Sequence, residues 1–255
     1  MSVGFEVSNG VARVTLNRPE RMNAVDSATE AALGETWDAI DLDPAIRCAV
    51  LTGAGRAFCA GADMKEDGPG GLAYWAGTGD HGFGGIALGR RPSVPVIARV
   101  NGIALGGGFE MVLGCDLVVA ADAASFGLPE PRVGRLPLDG MVTLPRRLPR
   151  PLAMGLLLTG RRIGAAEALE HGLVNQVAPL DELDDAVDAW VRDILACAPL
   201  SLRAIKRSAN ATAHLTVPEA RNARLPSLVA ALQSRDAEEG VAAFREKRAP
   251  AWSGS

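Results

Sequence analysis

The stretch that decides the fold is residues 100–114, VNGIALGGGFEMVLG. It follows an apolar run at residues 94–100 that predicts a buried strand, turns at Asn101-Gly102, and continues through three glycines into a short apolar helix. The first N–H groups of a helix have no intrahelical acceptor, and the helix dipole places partial positive charge there. The glycines therefore predict a backbone donor site that another molecule can approach closely.

Outward from this stretch, short apolar strands alternate with helical patterns. Residues 11–16 alternate apolar and polar with a period of two, which is typical of a half-buried strand. Residues 27–40 carry apolar side chains at helical spacing, and Ser27 with Glu30 predicts a capping box at the start of that helix. Residues 48–52 form a short, fully apolar strand. This alternation predicts a mixed α/β layer fold.

A unit of strand, turn, short strand and helix recurs loosely around residues 48–66, 96–113 and 173–195. The units are irregular, so they indicate a weak internal repeat without a solenoid period. Beyond the third unit the pattern is helical and charged. We therefore predict a core at residues 1–198 that carries the functional site, and a C-terminal helical segment at residues 199–255.

Composition excludes several classes of protein. Of the 255 residues, 48% are hydrophobic, which is enough to bury a large core and excludes a disordered chain. A net charge of −4 and an aromatic content of 4% argue against a nucleic-acid partner. No apolar run reaches the roughly 18 residues of a membrane span, and no signal-peptide pattern begins the chain, so we expect a cytoplasmic protein without membrane contacts. The cysteines form no C-x-x-C pair, so neither a disulfide scaffold nor a zinc site is expected.

One familiar motif lacks its structural context. Residues 77–82 match G-x-G-x-x-G, but no strand precedes them and no helix follows, so a dinucleotide site is not indicated. They belong to a glycine-dense stretch at residues 68–89. High glycine density makes ordering costly in backbone entropy, which predicts a loosely held loop.

A second stretch of small residues precedes acids at residues 58–66, FCAGADMKE. Asp63 is placed to cap a following helix. If this stretch and the three glycines converged on one point, their N–H groups would form an oxyanion hole. Each stretch taken alone is equally typical of an ordinary tight turn.

Two glutamates are candidates for acid–base chemistry. Glu110 follows Gly107 by about one helical turn and so lies on the same face of an otherwise apolar helix. A glutamate in apolar surroundings is costly unless it is solvated, paired or functional. Glu130 stands between two prolines, where the simplest interpretation of the residue alone is an exposed loop acid.

Together these segments resemble the crotonase superfamily, also called the enoyl-CoA hydratase/isomerase family. The matching motifs follow one another along nearly the whole chain: LNRP at 16–19, GADMKE at 61–66, VNGIALGGGFE at 100–110, LTG at 158–160 and FREKR at 244–248. The resemblance implies a spiral of repeated strand-strand-helix units with a C-terminal helical appendage that serves oligomerisation and caps coenzyme A. It further implies an acyl-CoA substrate and a homotrimer or a hexamer of two trimers.

By motif position, the resemblance implies that the N–H groups of Ala62 and Gly107 hold the thioester enolate and that Glu110 and Glu130 face the reacting carbons. The presence of both acids favours a lyase that adds or removes water across the C2–C3 bond. Glu110 would mainly activate water, and Glu130 would mainly transfer the proton at C2. We expect no metal and no cofactor apart from the coenzyme A of the substrate.

The resemblance also implies a set of residues that contact coenzyme A. Two of the three lysines of the chain belong to it, which places a rare residue where phosphate contacts are expected. The set comprises Arg18, Ala60, Asp63, Lys65 and Lys247. The loop at residues 68–89 is expected to form a wall of the acyl pocket.

The match departs from the family beside the chemistry. Leu138 stands where a glycine is usual, which predicts a narrower acyl pocket. An inward Asp139 would raise the pKa values of the two glutamates, although an Asp before Gly is more simply a solvated turn acid. Two alternatives stay open: double-bond isomerisation or other enolate chemistry on acyl-CoA, and a non-catalytic or RNA-binding scaffold. Both glutamates and the negative net charge argue against the scaffold.

Overall fold

The computed structural model describes residues 1–65, 71–77, 79, 81–89 and 91–255. The strands in chain order are β1 Val3–Ser8, β2 Val11–Leu16, β3 Cys48–Gly53, β4 Ala57–Cys59, β5 Val96–Val100, β6 Ile103–Leu105, β7 Leu117–Ala121, β8 Ser125–Gly127, β9 Arg162–Gly164 and β10 Gln176–Ala178. The helices are α1 Ser27–Leu42, α2 Gly71–Gly77, α3 Gly107–Gly114, α4 Gly140–Arg147, α5 Arg150–Thr159, α6 Ala165–Glu170, α7 Leu183–Leu195, α8 Pro199–Thr212, α9 Val217–Asn222, α10 Pro226–Leu232 and α11 Arg235–Glu246.

Two sheets carry the core. The larger sheet has the strand order β1-β2-β3-β5-β7-β10, and the smaller has the order β4-β6-β8-β9. Pairing is parallel except between β1 and β2 and between β8 and β9. Parallel strands are usually covered on both faces, and β3, β5 and β7 are accordingly almost continuously buried. This architecture confirms the mixed α/β fold.

The internal repeat consists of pairs of consecutive strands, the first in the large sheet and the second in the small sheet. β3 is followed by β4, β5 by β6 and β7 by β8, so each strand of the large sheet leads into a strand of the small sheet. The spiral of strand pairs is thus present. The third repeat lies at β7 and β8 and not at residues 173–195, where only β10 precedes α7.

The start of α1 differs from the predicted capping box. Asp26 is the N-cap, and its side chain accepts a hydrogen bond from the backbone N–H of Thr29 at 2.8 Å. Asp is as good a cap as Ser, and Asp26 has the extended backbone conformation that a cap requires. Glu30 is therefore not needed at the cap, and its carboxylate instead binds the backbone N–H of Gly84.

The glycine-dense stretch contains more order than predicted. Residues 71–77 form the helix α2, and Phe83–Gly85 form a short 3-10 turn. Residues 68–70, 78 and 80, which belong to the same predicted loop, lie outside the described residues. The helix that Asp63 was expected to cap would extend into residues 66–70, which also lie outside the described residues.

Helices α8 to α11 follow the core, as the helical pattern beyond residue 198 predicts. Lys206 of α8 is buried and anchors this segment: its ammonium donates to the Val94 carbonyl at 2.9 Å and to Asp116 Oδ2 at 2.7 Å. One of the three lysines thus serves the docking of α8. Among the described residues, no helix combines the length and the apolar character needed to cross a bilayer.

Candidate active site

The two small-residue segments converge. Gly61 has a φ of +93°, and a Cβ placed on it would lie 2.9 Å from the Leu105 carbonyl oxygen and 3.2 Å from the Gly107 nitrogen. Only glycine permits both this conformation and this approach. The stretch after β4 therefore lies directly against the start of α3, as parallel pairing of β4 with β6 requires.

The predicted oxyanion donors face this meeting point. Ala62 forms a parallel bridge with Val25, in which Val25 N donates to the Gly61 carbonyl at 2.9 Å and Asp63 N donates to the Val25 carbonyl at 2.8 Å. In such a bridge the N–H of the central residue points away from the partner segment. Gly107 begins α3, so its N–H belongs to the helix donors without an intrahelical acceptor. Neither N–H is therefore used by the bridge to Val25 or by the hydrogen bonds within α3.

Glu110 lies in a helix in which every residue is buried, and Glu110 itself is only 5% exposed. Its Oε1 accepts hydrogen bonds from the backbone N–H groups of Asp139 at 3.0 Å and Gly140 at 2.8 Å. Loss of solvent raises the pKa of Glu110 to about 8, and the charges of Asp139 and Glu130 act in the same direction. Glu110 therefore holds its proton near neutral pH.

Glu130 begins the 3-10 turn Glu130–Val133 and is half-buried, so it is not the exposed loop acid that its residue context suggested. A Cβ on Gly106 would lie 2.7 Å from Glu130 Oε1, which places the carboxyl beside the glycines at the start of α3. Its Oε2 is buried without a hydrogen-bond partner among the described residues. Burial raises the pKa of Glu130 above its usual value. Glu130 therefore lies beside the glycines that begin α3 and close enough to Glu110 for its charge to raise the pKa of Glu110.

Asp139 points inward, contrary to the simpler expectation of a solvated turn acid. Its Oδ2 accepts a hydrogen bond from the backbone N–H of Phe83 at 2.7 Å, while its backbone N–H binds Glu110. Burial raises the pKa of Asp139. Leu138, directly before it, is half-buried at the edge of the same region.

Sequence reasoning missed Glu30. Its carboxylate accepts from the backbone N–H of Gly84 at 2.9 and 3.1 Å, and burial raises its pKa to about 7, with a further contribution from Asp139. A pattern does mark it: Glu30 stands three residues before Leu33 and seven before Trp37, on the buried stripe of α1.

Glu30 lines a cavity of about 440 Å³. The residues around the cavity include Glu30, Tyr74, His81, Gly82, Gly85 and Arg91. Several lie within the stretch at residues 68–89 that was predicted to form a pocket wall. The cavity is of the size that ligand pockets typically have.

The residues predicted to bind coenzyme A divide into two groups. The Arg18 guanidinium lies 3.0 Å from Asp63 Oδ2 and 2.9 Å from Asp26 Oδ2, so Arg18 and Asp63 are already paired with each other. Lys65 and Lys247 are exposed.

Residues 60–63 have a further contact with the segment that contains Val25. Ala60 donates its N–H to the Met22 carbonyl at 3.0 Å, on the segment that also carries Arg18. Ala60 and Arg18 therefore hold residues 60–63 against residues 18–26. Within the described residues, no group of three or more His, Cys, Asp or Glu side chains has the arrangement of a metal site.

Comparisons with known proteins point to one family. A family model described as enoyl-CoA hydratase/isomerase matches residues 6–255. An (E)-benzylidenesuccinyl-CoA hydratase of Thauera aromatica is 42% identical over 259 residues, which cover 100% of both chains. A carnitinyl-CoA dehydratase of Escherichia coli (strain K12) is 40% identical over 253 residues, with 97% of this chain and 96% of the relative covered.

Solved structures agree equally well. The crystal structure of an enoyl-CoA hydratase from Mycobacterium tuberculosis H37Rv matches with a TM-score of 0.90 at 37% identity and covers 100% of this chain and 99% of that one. The family and the crotonase fold predicted from the motifs are thereby confirmed. With a matching family model along nearly its whole length and relatives at about two-fifths identity, the chain belongs to the enoyl-CoA hydratase/isomerase family.

Proposed function

We propose that this protein adds and removes water across the C2–C3 bond of an acyl-CoA thioester, with Glu110 and Glu130 as the acid–base pair. The hydratase and dehydratase relatives support hydratase-type acyl-CoA chemistry and an enzyme of the lyase type. The observation that carries the assignment of residues is that the half-buried Glu130 lies beside Gly106 at the start of α3 and close enough to the buried Glu110 for its charge to raise the pKa of Glu110.

The reaction needs charge stabilisation at the thioester oxygen. Negative charge grows on this oxygen as the enolate forms, and fixed donors stabilise it without the cost of reorganising solvent. The N–H groups of Ala62 and Gly107 supply two such donors, and the dipole of α3 adds to the effect of Gly107. Because both donors belong to the backbone, their side chains only need to be small.

The reaction requires the two acids to carry one proton between them. Burial raises the pKa of both, and Glu110 is raised further by the two neighbouring carboxyls. In dehydration, ionised Glu130 removes the C2 proton and protonated Glu110 donates its proton to the hydroxyl leaving C3. Hydration is the reverse: ionised Glu110 takes a proton from water, and protonated Glu130 delivers one to C2. Both directions use the singly protonated pair.

The family resemblance supports a proposal for substrate binding outside the reacting carbons. We propose that Lys65, Lys247, Arg18, Ala60 and Asp63 lie along coenzyme A, with the two exposed lysines at its phosphates. No further cofactor is needed for this chemistry. We further propose a homotrimer or a hexamer of two trimers, located in the cytoplasm.

The acyl group is proposed from the relatives and from the pocket. The relatives are named for benzylidenesuccinyl-CoA and carnitinyl-CoA, acyl groups larger than crotonyl. We propose a substituted acyl group for this chain, with Leu138 narrowing the pocket near the reacting carbons and the cavity beside Glu30 as the space that remains.

The test is a substrate panel with two variants. The parent should hydrate crotonyl-CoA or a substituted 2-enoyl-CoA, and the product should be the 3-hydroxyacyl thioester. Glu110→Gln and Glu130→Gln should each lower kcat by about 10²–10⁴-fold with little change in coenzyme A affinity. Asp181→Asn, an exposed carboxyl in the same chain, is the control. Conversion of a 3-enoyl-CoA without any water addition would assign isomerisation instead, and full activity in either Gln variant would contradict the mechanism.

A further inference from the structure

The 3-10 turn Phe83–Gly85 is packed between α1 and α3. Gly84 and Gly85 have φ values of +62° and +68°, which favour glycine. A Cβ on Gly84 would lie 2.8 Å from Met111 Cγ, so the turn rests directly on α3. This leaves the turn no room to move toward the helix that carries Glu110.

Two carboxylates from distant parts of the chain bind adjacent N–H groups of this turn. Asp139 Oδ2 accepts from Phe83 N at 2.7 Å, and the Glu30 carboxylate accepts from Gly84 N at 2.9 and 3.1 Å. The Trp37 indole N–H donates to the Gly84 carbonyl at 2.7 Å. Both polar groups of Gly84 and the N–H of Phe83 are therefore engaged by side chains from distant parts of the chain.

The turn borders the reaction site. A Cβ on Gly107 would lie 2.5 Å from the Phe83 ring, so the ring covers the residue that supplies one oxyanion donor. Asp139 also donates its own N–H to Glu110 Oε1 at 3.0 Å. One residue thus contacts both the turn that covers Gly107 and the carboxyl of Glu110.

We propose that Glu30 and Asp139 are positioning residues that clamp the turn Phe83–Gly85, and that through it they hold the Phe83 ring against Gly107 and keep the oxyanion donor aligned with Glu110. The inference rests on the proposed function, because it assigns the clamp to that same site. Neither residue contacts the reacting atoms.

The charges around the clamp determine which variants are informative. Glu30, Asp139 and Glu110 share a poorly solvated region, with the Tyr74 hydroxyl and His81 near them. The Arg91 guanidinium is engaged by Asp38 at 2.6 Å and by the Gly85 carbonyl at 3.0 Å. An amide keeps an acceptor for the turn but removes the negative charge, whereas alanine removes both. Comparing amide and alanine variants therefore separates positioning from charge.

The first test compares two variants of Glu30, one to alanine and one to glutamine. Glu30→Ala should lower kcat about tenfold or more with KM nearly unchanged, because small displacements of reacting groups cost large factors in rate. Glu30→Gln should stay within about threefold of the parent, since its amide oxygen can accept from Gly84 N. Glu35→Gln, an exposed position on the same helix, is the matched control and should be unchanged. Equal activity of Glu30→Ala and the parent would overturn the proposal.

The second test compares Asp139→Asn with Asp139→Ala and adds the pH–rate profile, which would not change if Asp139 had only a structural role. Asp139→Asn should retain the turn and shift the alkaline limb of the pH–rate profile to lower pH, because a negative charge beside Glu110 is gone. Asp139→Ala should in addition lower kcat by about 10²-fold. If Asn and Ala variants had the same kcat and an unmoved limb, Asp139 would be a packing residue only.

Two measurements keep the proposal falsifiable if the alanine variants fold poorly. Phe83→Leu leaves both N–H contacts and removes the ring from Gly107, and it should lower kcat about tenfold; unchanged kcat would overturn the proposal. Hydrogen exchange of the backbone amides of Phe83 and Gly84 should be faster in Glu30→Ala than in the parent and stay slow in Glu30→Gln. This measurement needs no substrate. If the proposed function were wrong, the parent protein itself would not add water to any 2-enoyl-CoA. The two failures are therefore distinguishable.

Discussion

The pH dependence of the parent enzyme should end in an alkaline limb near pH 8 that belongs to Glu110. The pKa of Glu110 is raised to about 8 by burial and by the neighbouring carboxyls, and the reaction in either direction needs one proton on the acid pair. Above this pH Glu110 is ionised and cannot deliver a proton to the hydroxyl that leaves C3. One pH unit above the pKa, roughly one molecule in eleven keeps the proton, so kcat/KM should fall about tenfold.

The assay is kcat/KM for dehydration of the 3-hydroxyacyl thioester at constant ionic strength from about pH 5 to about pH 10, read as the gain of the conjugated thioester. Constant ionic strength matters because contacts to the coenzyme phosphates weaken as salt rises. Glu110→Gln should remove the limb as well as most of the rate, since the titrating group is gone. Asp181→Asn should leave both as in the parent.

Two results would refute the reasoning. A parent profile that stays flat beyond pH 9 would mean that Glu110 does not supply the last proton. A limb that persists unchanged in Glu110→Gln would assign it to another group. In both cases the coupling of the two carboxyls would have to be abandoned.

The remaining predictions concern other parts of the molecule. Gly107→Ala should lower kcat by about 10²–10³-fold and destabilise the protein by about 1–3 kcal/mol in urea unfolding, because the added methyl collides with an aromatic ring beside an oxyanion donor. Lys65→Ala and Lys247→Ala should raise KM more than they lower kcat, and the effect should fade at high salt; unchanged coenzyme A affinity at low salt would contradict it. Lys206→Met should cost about 2–3 kcal/mol of unfolding free energy, since Asp116 and a buried carbonyl lose a charged donor. Light scattering should give a trimer or a hexamer at micromolar concentration, and a stable monomer would exclude both.

The sequence by itself determined the fold class and the two donor segments, because these depend on short-range patterns. Alternating and fully apolar runs predict strands. Three glycines before an apolar helix predict backbone N–H donors without an intrahelical acceptor, whatever the tertiary fold. The motif order then identified the family, which the comparisons confirm. Of the helix starts considered, that of α1 was misassigned by one residue, because Asp26 and Ser27 are both good caps.

The arrangement of carboxyls was decided only by the tertiary structure. Asp139 and Glu30 are turned inward by the N–H groups of Phe83 and Gly84, which lie 56 and 54 residues away in the chain. No local pattern contains that partnership, and local statistics favour a solvated turn for Asp139 and a helix cap for Glu30. The same holds for the pKa of Glu110, which depends on burial between α3, α4 and the turn. Residue types and spacing set which groups are present, while packing sets which of them share a poorly solvated space and hence a proton.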